Sequence, residues 1–283
     1  MGMFTNFTAK LSKHAHEKRA RKAAENSKHS SNKMEYLLDN NTPFDITEAF
    51  RNLKAALSVS VPKKDGGVII SFTSAYPEEG KTTVSVNLAL MFALSDAKVL
   101  LIDADIRKGR VARYFKHKSK PGLSDYLSGQ NTLEEILHKS TINENLTYVT
   151  CGTHSPKPYE LLESEQMKEL LQQLRGEYDY ILIDTPPVLL ISDALAFTPY
   201  IDGTVLVCRH QYSFVSDIER TLSQLTFSKA NVLGVIVNDY KIETPGRFQG
   251  KYKKYYRYYR YYRYSSYTYG FTDPTESDEV VKK

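Results

Sequence analysis

The chain has 283 residues, 41% hydrophobic and 25% charged, with two cysteines and a formal net charge of +5. That length and apolar content support one substantial core, and we read one domain carrying two tails. Cys151 and Cys208 stand in apolar, strand-like settings without a CxxC or Cys/His grouping, which argues against a disulfide framework or zinc site and for a reducing cytoplasm; no run approaches the roughly 18 to 20 apolar residues that span a bilayer, and no apolar signal core opens the chain.

Residues 1–41 form a polar, basic arm that reads as disordered. The positive surplus sits at the two ends, Lys10 to Lys33 and Lys251 to Arg263, which suits anionic partners such as lipid head groups, nucleic acid or acidic proteins. Within 42–65, Ile46, Phe50, Leu53 and Leu57 recur at helical spacing, with Asp45 or Thr47 available as a cap, predicting an amphipathic helix before the core. Residues 66–240 then alternate. A strand over Val68 to Thr73 leads through a loop into a helix from Thr82 to Leu94. Further strands are predicted at Lys98 to Ile102, Leu146 to Cys151, Tyr180 to Ile183, Thr204 to Cys208 and Val232 to Val237, with helices including Glu165 to Arg175 and Val215 to Leu225. Near-continuous apolar strands alternating with helices predict an α/β fold, a mainly parallel sheet covered on both faces. After Asn238 the periodicity stops; Lys241 to Gly250 reads as a hinge into a flexible tail, 241–283.

The loop Ala75-Tyr76-Pro77-Glu78-Glu79-Gly80-Lys81-Thr82-Thr83 has the strand before it and helix after it that a phosphate-binding loop requires. Its backbone N–H groups would face phosphates, and Gly80 allows close approach. Lys81 would neutralise the β and γ phosphates, Thr82 would ligate magnesium, and Thr83 would add a hydroxyl near the α phosphate. Two apolar strands end in aspartate, where a parallel sheet presents ligand-binding groups. One gives Asp103 and Asp105, which share a face only if the strand persists; the other gives Asp184. Asp103 and Asp184 are expected to hold the metal with Thr82, and Asp103 to accept the proton of an attacking hydroxyl. Arg107 is expected to steady phosphate or the surrounding loop, the alternative being a surface arginine. Asn238 is read as an adenine contact or as a strand-end turn residue.

The tail holds ten tyrosines among basic residues: Tyr252, Tyr255, Tyr256, Tyr258, Tyr259, Tyr261, Tyr262, Tyr264, Tyr267 and Tyr269. Rings at nearly every position match neither a strand's period of two nor a helix's 3.6, so packing does not explain them. Their use lies in phenols, rings or charge.

Together the Lys81 loop, the Asp103/Asp105 strand, the Asp184 strand and the tyrosine cluster resemble the cytoplasmic kinase domain of the bacterial tyrosine kinases of capsular and exopolysaccharide systems. Pro121-Gly122-Leu123-Ser124 and Pro158-Tyr159-Glu160-Leu161-Leu162 add to the likeness, which runs from about residue 42 to the end. The resemblance implies a P-loop NTPase fold of the Min/Par type, ATP and Mg2+ as cofactors, and tail tyrosines phosphorylated between subunits. It also implies a membrane-anchored activator or chain-length regulator as partner, a cognate tyrosine phosphatase, other pathway proteins as substrates, and a cytoplasmic chain recruited to the inner face of the membrane. Glu48, Arg51 and Lys54 match a motif that assembles family members into homo-oligomeric rings, with lysine replacing a second arginine whose bidentate contact it cannot reproduce. Glu78 stands where the family has glycine, which questions a positive φ there, and Lys157 where it often has asparagine. The rival on the same scaffold is a partitioning-type ATPase binding nucleic acid through its basic aromatic tail. That group carries a signature lysine where this chain has Tyr76, and the tail contains no recognisable RNA-binding module, so nucleic acid is the lesser reading.

Overall fold

The structure, a computed structural model, describes residues 36–61 and 66–240. The arm before Tyr36 and the tail from Lys241, with all ten candidate acceptor tyrosines, lie outside the described residues. In chain order the elements are α1 (Phe44–Ser60), β1 (Val68–Ser74), α2 (Lys81–Ala93), β2 (Val99–Asp103), α3 (Val111–Tyr114), α4 (Leu123–Leu127), α5 (Leu133–Ile136), β3 (His138–Lys139), β4 (Leu146–Val149), α6 (Pro158–Leu162), α7 (Glu165–Arg175), β5 (Tyr180–Asp184), β6 (Gly203–Arg209), α8 (Val215–Phe227) and β7 (Val232–Asn238).

The strands form one sheet in the order β3-β4-β2-β5-β1-β6-β7. All pairings are parallel except the short β3 against β4. Side chains alternate between two layers because successive residues of a strand point to opposite faces. Phe72, Leu101 and Leu182 pack with α1 and α2, while Ile69, Ile102 and Ile183 pack with α7 and the shorter helices. Helix α2 is buried almost all round, since the sheet lies beneath it and α1, through Phe50 and Leu57, covers it from outside. An all-apolar helix needs such double cover. A helix this enclosed cannot shift without repacking, so the phosphate loop at its start is held by the core.

Three expectations are refined. β2 ends at Asp103 and so does not persist to Asp105, although the next amide, Ala104, still donates to Asp184 O at 2.8 Å. β3 was not expected; with two residues it gives no periodic signal. The described residues also include a segment before the predicted helix that packs on the core. Leu38 is buried, and its amide donates to Asn87 Oδ1 at 2.7 Å. Asn87 Nδ2 in turn donates to Tyr36 O and to Thr83 O, at 2.9 and 2.7 Å.

Candidate active site

Gly80 caps α2 with φ of 90°, a left-handed conformation in which a Cβ is strained, and an added Cβ would overlap the Asn238 side chain. No side chain occupies the cap of α2, so its first-turn amides are left to a ligand. Glu78 also adopts a positive φ, 68°, despite its side chain. That conformation costs about 1–2 kcal/mol. It is opposed by the Glu78–Arg110 pair at 3.6 Å, which a glycine would lack, and by the residue's backbone carbonyl, which accepts from Arg209 at 3.4 Å.

The parallel register sets Asp103 directly beside Asp184, at the ends of β2 and β5. Both are fully buried. Lys81 Nζ reaches between the two acid clusters, 3.5 Å from Asp105 Oδ2 and 3.8 Å from Asp184 Oδ2. Burial alone would lower the lysine's pKa, but Asp184, Asp105 and Asp103 outweigh it and raise it, so Lys81 is charged. Burial pushes Asp103 well above the usual carboxylate range and the adjacent Asp184 pushes it further. Asp184 is raised by burial too, against the opposing pull of Lys81. Part of this set has the donor chemistry that suits a magnesium ion. Thr82 Oγ1 donates to Asp184 Oδ2 at 2.6 Å, and Asp184 Oδ1 is buried with no hydrogen-bond partner. An orphaned carboxylate oxygen beside a threonine hydroxyl matches the hard oxygen donors that magnesium takes.

Asp103 and Asp105 differ in what their oxygens do. Asp103 Oδ1 accepts the Asp105 amide at 3.2 Å and Oδ2 accepts the Val111 amide at 2.9 Å, so this carboxylate folds the loop after β2. Asp105 faces a cavity of about 500 Å³ lined also by Gly80, Lys81, Thr82, Thr83, Arg107, Tyr36 and Asn238; neither Asp103 nor Asp184 lines it. Arg107 is held by a bidentate pair with Asp193, Nε to Oδ2 at 2.6 Å and Nη2 to Oδ1 at 3.1 Å, which aims the segment after β2. Thr83 Oγ1 lies 2.7 Å from the Tyr114 hydroxyl.

Other residues of the site escaped the sequence reading. Glu79 is buried; its carboxylate accepts the Tyr76 amide at 2.8 Å and the Ser213 hydroxyl, and burial raises its pKa. Asn238 Nδ2 donates to Glu79 O at 3.1 Å, and Tyr212 donates to Pro77 O at 3.2 Å. The loop is thus tied to the ends of β6 and β7 by partners more than 130 residues away, and no local pattern announces such ties. Asn87, the anchor of the segment at Tyr36, was missed for the same reason.

On α1, Glu48 and Arg51 pair with each other, and Lys54 Nζ donates to Ser95 Oγ at 2.6 Å. The first pair is one turn apart on an exposed face, where such pairs contribute about 0.3–0.5 kcal/mol.

A protein-family profile described as an AAA domain matches residues 67–232. Tyrosine-protein kinase CpsD of Streptococcus pneumoniae is 38% identical over 191 residues, covering 66% of this chain and 84% of that protein. The chain belongs to the bacterial tyrosine kinases. Tyrosine-protein kinase ptk of Acinetobacter johnsonii is 33% identical over 199 residues, 70% of this chain but 27% of that protein, so the chain spans about a quarter of the length of such relatives. Among solved structures, the kinase domain of the Escherichia coli tyrosine kinase Etk superposes with a TM-score of 0.64 at 29% identity, over 77% of this chain and 89% of that one. Within the bacterial tyrosine kinases this chain therefore has the P-loop NTPase fold, a mainly parallel sheet with helices on both faces. Among the described residues no helix is long and apolar enough to cross a membrane.

Proposed function

We propose that this chain is an ATP-dependent protein-tyrosine kinase whose acceptors are the tyrosines between Tyr252 and Tyr269, presented by a second copy. The observation that carries this reading is a charged lysine set 3.5 and 3.8 Å from carboxylates that end one strand and follow another, beside a cavity of about 500 Å³ in a member of the tyrosine kinase family. Magnesium-ATP, when bound, supplies an electrophilic γ phosphorus and neutralises the charge of the departing ADP. Lys81 and the first amides of α2 orient the phosphate chain. Thr82 and Asp184 would hold the metal. Asp105 takes the proton of the phenol as its oxygen forms a bond to the γ phosphorus and the bond to the β-phosphate oxygen breaks, releasing ADP. This moves the base role expected of Asp103, whose oxygens are both engaged by backbone amides, to the one carboxylate of the pair that faces the cavity. Arg107 and Asn238 hold the loops around the nucleotide, and Glu48, Arg51 and Lys54 provide a face for assembly.

On this reading the activity serves capsular or exopolysaccharide production, a membrane-anchored activator recruits the chain to the inner face of the membrane, and a phosphatase reverses the modification. The test is direct. Purified chain, magnesium, γ-labelled ATP and a candidate activator peptide are incubated, and label is mapped in wild type, Lys81→Met and a tail with every tyrosine replaced by phenylalanine. Label on tail tyrosines that disappears in both variants supports the kinase. ATP hydrolysis stimulated by DNA, with no label on tyrosine, supports the partitioning-type ATPase instead.

A further inference from the structure

Between Arg107 and Lys120 the sequence carries seven lysines and arginines and no acidic residue. This segment leaves the tip of β2, forms α3 and runs toward α4, and all seven of those side chains are exposed. Arg107 is committed to Asp193. Lys108, Arg110 and Arg113 line the nucleotide cavity, and Lys116, Lys118 and Lys120 follow outside its lining.

The backbone that carries these charges is pinned. His117 donates its amide to Ala112 O at 2.9 Å, and Thr150 Oγ1 donates to Ser119 O and Pro121 O at 2.9 and 3.0 Å. Phe115 stacks on Tyr148 with ring centroids 4.1 Å apart. An ordinary solvated surface intersperses both signs of charge. A one-signed row on a fixed backbone instead favours an extended polyanion, because little ordering remains to be done on binding.

The unmodified tail is the wrong ligand for it. From Lys251 to Arg263 the tail carries six positive charges and no acid, and two cationic surfaces repel within a Debye length of about 8 Å at physiological salt. Phosphorylation reverses the sign. Each phosphotyrosine adds about −1.5 to −2 charges and three strong acceptor oxygens, so about four of them cancel the tail's positive charge and further ones exceed it. Clusters of arginine and lysine are the ordinary recognition surface for such groups.

We propose that the Lys108–Lys120 surface holds the already phosphorylated stretch of the tail of a second copy of this chain, so that each transferred phosphate draws further tyrosines to the adjoining cavity. This rests on the kinase reading above. Modification then starts slowly and accelerates, and partly reacted samples divide into bare and heavily phosphorylated chains rather than an even spread.

The decisive measurement uses full-length Lys81→Met protein, which cannot modify its own tail. It is titrated by fluorescence anisotropy with a peptide of residues 250–270, either bare or bearing phosphotyrosine at positions 256, 258, 259 and 261, in about 0.15 M salt. The phosphopeptide is expected to bind at least about tenfold more tightly. Combining Lys116→Gln, Lys118→Gln and Lys120→Gln should erase most of that preference while leaving nucleotide affinity unchanged. Equal binding of the two peptides, or a triple variant indistinguishable from its parent, overturns the proposal. So does competition by DNA or phosphatidylserine vesicles that equals the phosphopeptide at matched charge. If the preference holds but active wild type labels no tyrosine, this surface stands and the kinase reading falls; label without any preference has the opposite meaning.

Discussion

The floor and the rim of the nucleotide cavity are built on opposite rules. On the floor and just beneath it, Lys81, Thr82, Asp103 and Asp184 are buried or nearly so, and their oxygens and nitrogens, Asp184 Oδ1 apart, have partners within the fold. On the rim, Lys108, Arg110 and Arg113 are exposed, and the pair of Arg110 with Glu78 is loose at 3.6 Å. Charges locked in a water-poor floor act at full strength and tolerate no change, whereas exposed charges are screened and act collectively. On the function and the docking surface proposed above, the chemistry of the reaction belongs to the floor and the choice of what approaches belongs to the rim.

The contrast is tested hardest at Lys81. Lys81→Met should lower phosphate transfer by on the order of a thousandfold, the usual cost of losing a buried charge that stabilises a transition state, measured as initial rate of label incorporation. Next come the two neighbouring aspartates, whose roles should separate. Asp105→Asn should cut the rate by about 10² to 10⁴-fold with little change in melting temperature. Asp103→Asn should instead destabilise the fold by about 1–3 kcal/mol in a urea titration, because a partnered buried acceptor is disturbed. Equal rate losses without a stability difference would return the base role to Asp103. Gly80→Ala should weaken nucleotide binding and cost about 1–3 kcal/mol through crowding against Asn238; adding Asn238→Ala should restore part of it, a non-additivity that a double-mutant cycle reads directly. The smallest effect concerns the thiols. Burial, helped by Asp103 and Asp105, pushes Cys151 up to about 12, and burial raises Cys208 as well. Since the thiolate is the reactive form, both should resist iodoacetamide from pH 7 to pH 9 in the folded chain and react in urea.

Much of the floor was legible because its signals are local. A strand of continuous apolar residues, a glycine before Lys81 and aspartates at strand ends are patterns within a few residues of one another, and they led to the same loop, sheet and acids that the structure brings together. The base role proposed for Asp105 in place of Asp103 was not legible, because it depends on β2 stopping at Asp103, two residues short of Asp105. Glu79 reads as an ordinary loop acid until β6 and β7 bring Ser213 and Asn238 to it. Glu78 argued against a left-handed turn by residue type alone, yet tertiary contacts to Arg110 and Arg209 hold it there. Local chemistry writes the site, and distant chain closes it.

The bridge made by Asn87 has a mechanical meaning. Its single amide grips the backbone at Tyr36 and Leu38 on one side and the carbonyl of Thr83 on the other. A pull along the chain from residue 35 therefore arrives within one peptide group of the helix turn that cradles phosphate. Any load taken up by the backbone at Tyr36 is thereby shared with that turn through one side chain.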